Sequence, residues 1–130
     1  TSDYAGQFVD IMPTFAELAG VEAPANDGIS LVPTLTGGKQ PKHEYLYWEF
    51  PGGKGWVAVR WGEWKGIVKN VHKGNNVMEL YDLHTDMRET TDVAAQYPEV
   101  VEQMWKFIKE SHQPVPNDVQ RYKMTINFPE

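Results

Sequence analysis

The chain has 130 residues, 41% of them hydrophobic and 12% aromatic, which is enough apolar side chain for a packed core and too much for disorder throughout. Its formal net charge is −6, and its twelve Lys and Arg are scattered rather than gathered into a basic stripe, which argues against nucleic acid as a partner. It has no cysteine, so a disulfide framework, a Cys-based zinc site and a thiol nucleophile are excluded.

Phe8, Ile11, Met12, Phe15, Leu18 and Ala19 recur at helical spacing and make one apolar stripe. Asp10 or a neighbour suits the start of this helix. Pro13 is tolerated only in its first turn, and Gly20 suits the left-handed residue that closes it. Such a face is too apolar to leave wet, so it must lie on something. "VEAPANDG", residues Val21 to Gly28, reads as a loop. "SLVPTLTGG" reads as a short helical turn capped by Ser30 and ended by Gly37 and Gly38, with a polar linker from Lys39 to Lys42.

From His43 the period changes to two. In "HEYLYWEF" one face carries Leu46, Trp48 and Phe50 and the other His43, Tyr45, Tyr47 and Glu49; the first reads as core and the second as the open side. "PGGKG" is a hairpin loop, "WVAVRW" (Trp56 to Trp61) a second strand, Gly62-Glu63 a two-residue connection and "WKGIVK" (Trp64 to Lys69) a third. After the turn "HKGNN", "MELYDL" (Met78 to Leu83) is a fourth. Connections this short make antiparallel neighbours. Pro98 then opens a second helix with Glu99 in its first turn, and Val101, Met104, Trp105 and Ile108 form its apolar stripe, which covers the sheet. The tail from Val119 either adds a short strand at Lys123 to Phe128 or is loose.

The residues that suggest chemistry mostly have plainer readings. Asp86, Glu89 and Asp92 lack the alternating ligands and sharp-turn glycine of a calcium loop, and the plainer reading is Asp86 accepting backbone N–H bonds in a turn with Glu89 nearby. His43, His72, His84 and His112 fall in four separate segments with no second ligand at metal spacing, and they read as solvated. Ser2, Ser30 and Ser111 have no nucleophile-elbow context, and "PGGKG" lacks the spacing of a phosphate loop. The clustered aromatics would suit a sugar platform, yet cross-strand aromatic pairs also stabilise small sheets. Arg60 and Lys65 lie inside strands, where they reach an anion or a carboxylate across an interface, or pair within the sheet.

Taken in order, four segments resemble type I sulfatases of the alkaline-phosphatase-like superfamily. "VDIMPTFAELAGVEAP" (Val9 to Pro24) resembles D-[LI]-x-P-T-x-x-x-L-A-G, and "DGISLVPTLTG" (Asp27 to Gly37) resembles D-G-x-S-L-x-P-x-L-x-G. "VAVRWGEWKGI" (Val57 to Ile67) is similar to A-[VI]-R-x-x-x-[WY]-K, and "ELYDLHTDMRETTDVA" (Glu79 to Ala94) to E-L-Y-D-L-x-x-D-P-x-E-x-x-N-L-A. The departures are Met87 for Pro and Asp92-Val93 for Asn-Leu, both compatible with a turn. The chain opens at Thr1 with neither an initiator Met nor a secretion leader, and it reads as a piece of a longer polypeptide.

The expected fold class is α+β: a four-stranded antiparallel sheet packed against a C-terminal helix. By the resemblance, a helical segment from the end of an α/β catalytic domain precedes it. Residues 1–38 would end that large domain, 39–116 form the C-terminal subdomain, and 117–130 a tail. The implied activity of the full-length protein is hydrolysis of sulfate esters of glycans or aryl alcohols. Calcium and a formylglycine residue are implied for that protein and none for this stretch, which carries no C/S-x-P-x-R motif and is expected to be inactive alone. His43, Glu49, Arg60 and Lys65 are the residues proposed to touch substrate or to dock on the upstream catalytic domain. No nucleic acid or membrane span is expected, the location is periplasmic or secreted, and the exposed first helix should drive self-association. The rival readings are a glycan-binding β-module without catalysis and a phosphodiesterase or phosphonate hydrolase of the same superfamily.

Overall fold

The computed structural model describes residues 1–114 and 124–129. Two compact units follow each other along the chain, Thr1–Glu44 and Tyr45–Glu130.

In the first unit a 3-10 turn, Phe8–Asp10, runs into helix α1, Ile11–Leu18, and a loop leads to the short helix α2, Val32–Thr36. Pro13 sits in the first turn of α1, and Gly20 (φ +69°) and Gly37 (φ +78°) follow the two helices in the left-handed region, where a Cβ would be strained. Ser30 Oγ accepts the Val32 N–H at 3.2 Å. The α1 stripe exists, but it faces outward. Phe8 is 89% exposed and Phe15 64%, with Ile11, Met12 and Leu18 also exposed, whereas Asp10 is 0% exposed and Thr14 is buried. This helix buries its polar side and shows its apolar one, the reverse of an ordinary surface helix. Gly28 permits the close approach of loop and turn: a Cβ there would lie 2.2 Å from the Val9 carbonyl oxygen.

In the second unit β1 (Leu46–Phe50), β2 (Trp56–Trp61), β3 (Trp64–Lys69) and β4 (Met78–Asp82) form an antiparallel meander in sequence order. The Trp61↔Trp64 pair closes over Gly62-Glu63, with Gly62 at φ +59° as a tight hairpin requires. Helix α3, Pro98–Ser111, starts with Pro98 and covers one sheet face. Its buried side chains are Val100, Met104, Trp105, Phe107 and Ile108, packed with Val57, Val59, Val68, Met78 and Leu80. Gly66 lets the helix come this close, since a Cβ there would meet Met104 Sδ at 2.5 Å and Met78 Sδ at 2.6 Å.

The facing of β1 is opposite to the sequence expectation. Tyr45 stacks on Phe107 with ring centroids 4.0 Å apart, and Tyr47 also packs against the α3 core. Trp48 and Phe50 lie on the other face and are 40% and 63% exposed, although Leu46 beside them is buried. Both sides of this strand are apolar enough to be core, so alternation cannot choose between them. The helix side takes the tyrosines because their hydroxyls find partners there. The strand begins at Leu46 rather than His43, and β4 ends at Asp82 rather than Leu83. Lys123, the first residue of the expected tail strand, lies outside the described residues. Met124 to Pro129 form no strand, yet they are not loose: Met124 and Ile126 are buried, and Phe128 meets Trp105 edge-on at 5.9 Å.

Candidate functional site

The four residues singled out from the sequence divide between the two units, and the three in the second divide again between the two faces of the sheet. His43 belongs to the first unit, Glu49 to the α3-covered side of β1, and Arg60 and Lys65 face each other across β2 and β3 on the opposite side of the sheet.

His43 Nε2 lies 2.7 Å from Asp10 Oδ1. The same carboxylate accepts the Ile29 N–H on Oδ1 at 2.8 Å and the Gln7 N–H on Oδ2 at 2.9 Å. One turn on, the Thr14 hydroxyl donates to the Asp10 carbonyl at 2.6 Å and accepts the Leu31 N–H at 2.8 Å. Asp10 and Thr14 thus tie three stretches of backbone together. Burial alone would raise the Asp10 carboxyl, but the Ile29 and Gln7 amides and His43 outweigh it and hold it below the usual carboxylate range. The Tyr4 phenol, nearby, is pushed up by burial first and then by the Asp10 charge.

Glu49 Oε1 accepts from the Tyr47 hydroxyl and lies 2.6 Å from His112 Nδ1. The Tyr45 and Ser111 hydroxyls meet at 2.8 Å, so β1 and the residue before it are fastened twice to the C-terminal end of α3 and its cap, His112. Burial, followed by the Glu49 hydrogen bond, raises the Tyr47 phenol far above its ordinary value. His43 and His112, expected to be solvated, are therefore largely buried partners of carboxylates 33 and 63 residues away. Tyr47 and Glu49, expected to be open, are turned into this cluster.

On the opposite face Arg60 Nε donates to the Gly62 carbonyl at 3.2 Å, and Lys65 Nζ pairs with Glu89 at 2.5 Å. Lys69 Nζ and the Tyr81 hydroxyl both donate to Glu79 Oε2, at 2.5 and 2.6 Å. These donors lower Glu79, and the Glu79 hydrogen bond, with burial second, pushes Tyr81 up to about 12.

The acidic turn is used as the sequence suggests. Asp86 accepts the Thr90 and Thr91 N–H groups at 2.6 and 2.8 Å, and Asp92 Oδ1 accepts those of Leu80 and Ala94 at 3.0 and 2.9 Å. Carboxylates committed in this way to backbone donors do not fit a calcium ligand set, and among the described residues no group of three His, Asp or Glu is placed to hold a metal ion. The residues sequence reasoning missed are Asp10 and His112. Asp10 carried a partial signal as a helix-start residue, whereas His112 carried none.

A family model described as N-sulphoglucosamine sulphohydrolase, C-terminal, matches residues 2–114. The chain is 30% identical to an N-acetylglucosamine-6-O-sulfatase of Bacteroides thetaiotaomicron, covering 98% of this chain and 25% of that protein. It is 30% identical to arylsulfatase K of Xenopus laevis over 78% of this chain and 21% of that one. A solved 2-O GAG sulfatase superposes with a TM-score of 0.66 at 27% identity, covering 91% of this chain and 27% of its own. The chain thus spans a quarter or less of the length of these curated relatives.

Proposed function

The chain belongs to the N-sulphoglucosamine sulphohydrolase C-terminal family, and from that premise we propose that it is the C-terminal part of a sulfatase hydrolysing sulfate esters of glycans or aryl alcohols. The observation that carries this reading is the match over residues 2–114, which takes in the first unit and most of the second rather than one motif. Formylglycine and calcium, the groups such chemistry employs, belong on this reading to polypeptide outside these 130 residues. No step of the reaction is assigned to residues here.

What this chain supplies is shape. His43 and Glu49 act as internal ties that fix the two ends of the Lys42–Tyr47 stretch within their own units, through Asp10 and through Tyr47 and His112. Arg60 and Lys65 act in docking or substrate contact from the open sheet face. The outward apolar side of α1 fits a helix laid against the catalytic domain, and its exposure predicts self-association when that domain is missing. A periplasmic or secreted location goes with the same proposal; among the described residues no helix is long and apolar enough to cross a membrane.

The reaction class is tested by giving the protein made from the whole reading frame a panel of matched sulfate esters, phosphodiesters and phosphonate monoesters. Preferred release of inorganic sulfate supports the proposal. Preferred cleavage of a phosphorus ester replaces it with the phosphonate-hydrolase reading, and saturable glycan binding with no release of either product replaces it with a binding module. Tyr47, read from the sequence as lying on the open side, packs against the core side of the sheet instead of standing free to stack on a sugar, which favours the sulfatase reading over the module.

A further inference from the structure

We infer that the groove between the outer flank of α3 and the edge strand β4 is a binding site for a small amphiphilic anion, an aryl or alkyl body carrying one negative group. The inference stands apart from the sulfatase reading and assigns no role in the reaction. The groove follows from spacing. Pro98, Val101, Glu102, Trp105, Lys106 and Lys109 recur at three- and four-residue intervals, so they share one flank of α3 beside the stripe that packs on the sheet. β4 ends the sheet, and among the described residues no further strand lies beyond it. The facing wall is built instead by Val77, 67% exposed before β4, by Ala94 and Ala95, and by Phe128 against Trp105. Two alanines and two valines do not fill the gap, and about 860 Å³ stays open. Ligand sites have this size and this kind of lining, mostly apolar with a few polar groups that set orientation.

Charge selects the ligand. Of the two carboxylates on the lining, Asp92 is committed to the Leu80 and Ala94 amides, and Glu102 pairs with Lys106 at 2.9 Å. Lys109 has no carboxylate partner among the described residues, so the unanswered charge at the groove is positive. One ammonium on a flexible stem suits a single sulfonate, sulfate or carboxylate. The apolar floor of Val101, Trp105 and Phe128 suits the rest of such a molecule. A sulfated glycan is a poor match, because its hydroxyls need many hydrogen-bond partners and its sulfates several free cations.

The test is photolabelling of the protein made from the whole reading frame with 6-azidonaphthalene-2-sulfonate, whose carbon–sulfur bond is not an ester and survives a sulfatase. Labelled peptides are identified by mass spectrometry. Saturable label is expected within residues 94–109 or at Val77 and Met78. Naphthalene-2-sulfonate should displace it about fivefold better than the neutral naphthalene-2-methanol, the size of effect one exposed ion pair gives. Lys109→Gln, at an exposed position, should weaken this labelling by a similar factor and leave the thermal midpoint in place. Label confined to other peptides overturns the proposal. So does displacement as good by the neutral alcohol or by the cationic naphthalene-2-methylammonium, or an affinity that Lys109→Gln leaves unchanged.

Discussion

His43 Nε2 and Asp10 Oδ1 meet at 2.7 Å across 33 residues of sequence, on a carboxylate that is wholly inaccessible to solvent. Replacing Asp10 with Ala orphans the Gln7 and Ile29 amides as well as His43. A buried donor left without its partner costs about 1–3 kcal/mol, so the variant should lose about 3 kcal/mol from the first unit. Amide exchange read by NMR should accelerate at Gln7 and Ile29 while the Val59 and Val68 amides of the sheet keep their rates. Unchanged exchange at Gln7 and Ile29 would show that the carboxylate is not the tie described.

Two groups set opposite pH limits. The Asp10 carboxyl is lowered on folding, so its contribution is present above the unfolded value near 3.8 and is lost as pH falls through the lower folded value. The Tyr81 phenol is raised from 10.0 to about 12, so its contribution is whole below pH 10 and is lost as pH rises from 10 towards about 12. Ultraviolet titration of wild-type and Tyr81→Phe protein should assign an ionisation near the upper limit to Tyr81. An ionisation at the ordinary tyrosine position would contradict the Tyr81–Glu79 bond.

Gly66→Ala tests the closeness of α3 to the sheet. The new methyl would have to displace the Met104 and Met78 sulfurs, and overpacking of this kind costs about 1–3 kcal/mol. Methionine side chains can move, which places the expected loss in the lower half of that range. Urea unfolding should show a lower midpoint with an unchanged slope.

Asp86→Ala removes the acceptor for the Thr90 and Thr91 amides and should loosen the turn after β4. If Asp86 serves the turn and not a metal, adding calcium to the wild type should shift neither its thermal midpoint nor the exchange at these amides. A calcium-dependent shift abolished by the substitution would restore the metal reading.

Sequence legibility followed the range of the interactions. β2 and β3 were readable to the residue because period-two alternation and a two-residue turn at Gly62-Glu63 are local signals. α3 was readable from Pro98 and its stripe, and the Asp86 turn from its acceptor chemistry. The face of β1 was not, because Leu46, Trp48 and Phe50 look as core-like as Tyr45 and Tyr47, and only Phe107 and Ser111, brought in by α3, decide between them. The partners of His43 and His112 lie far off in sequence, and no pattern along the chain announces them. α1 misleads for a different reason. Its stripe gives the helix correctly but not which side is covered, since Asp10 and Thr14 bind backbone that only the folded unit supplies.

The most direct measurement compares sulfate released from N-acetylglucosamine 6-O-sulfate and from an aryl sulfate by the protein of the whole reading frame and by Thr1–Glu130 alone. The account predicts release by the longer protein on at least one of these esters and none by the 130-residue chain. Turnover by the short chain alone, or a reading frame that encodes nothing beyond it, would contradict the claim that these residues support a reaction centre held elsewhere in the same polypeptide.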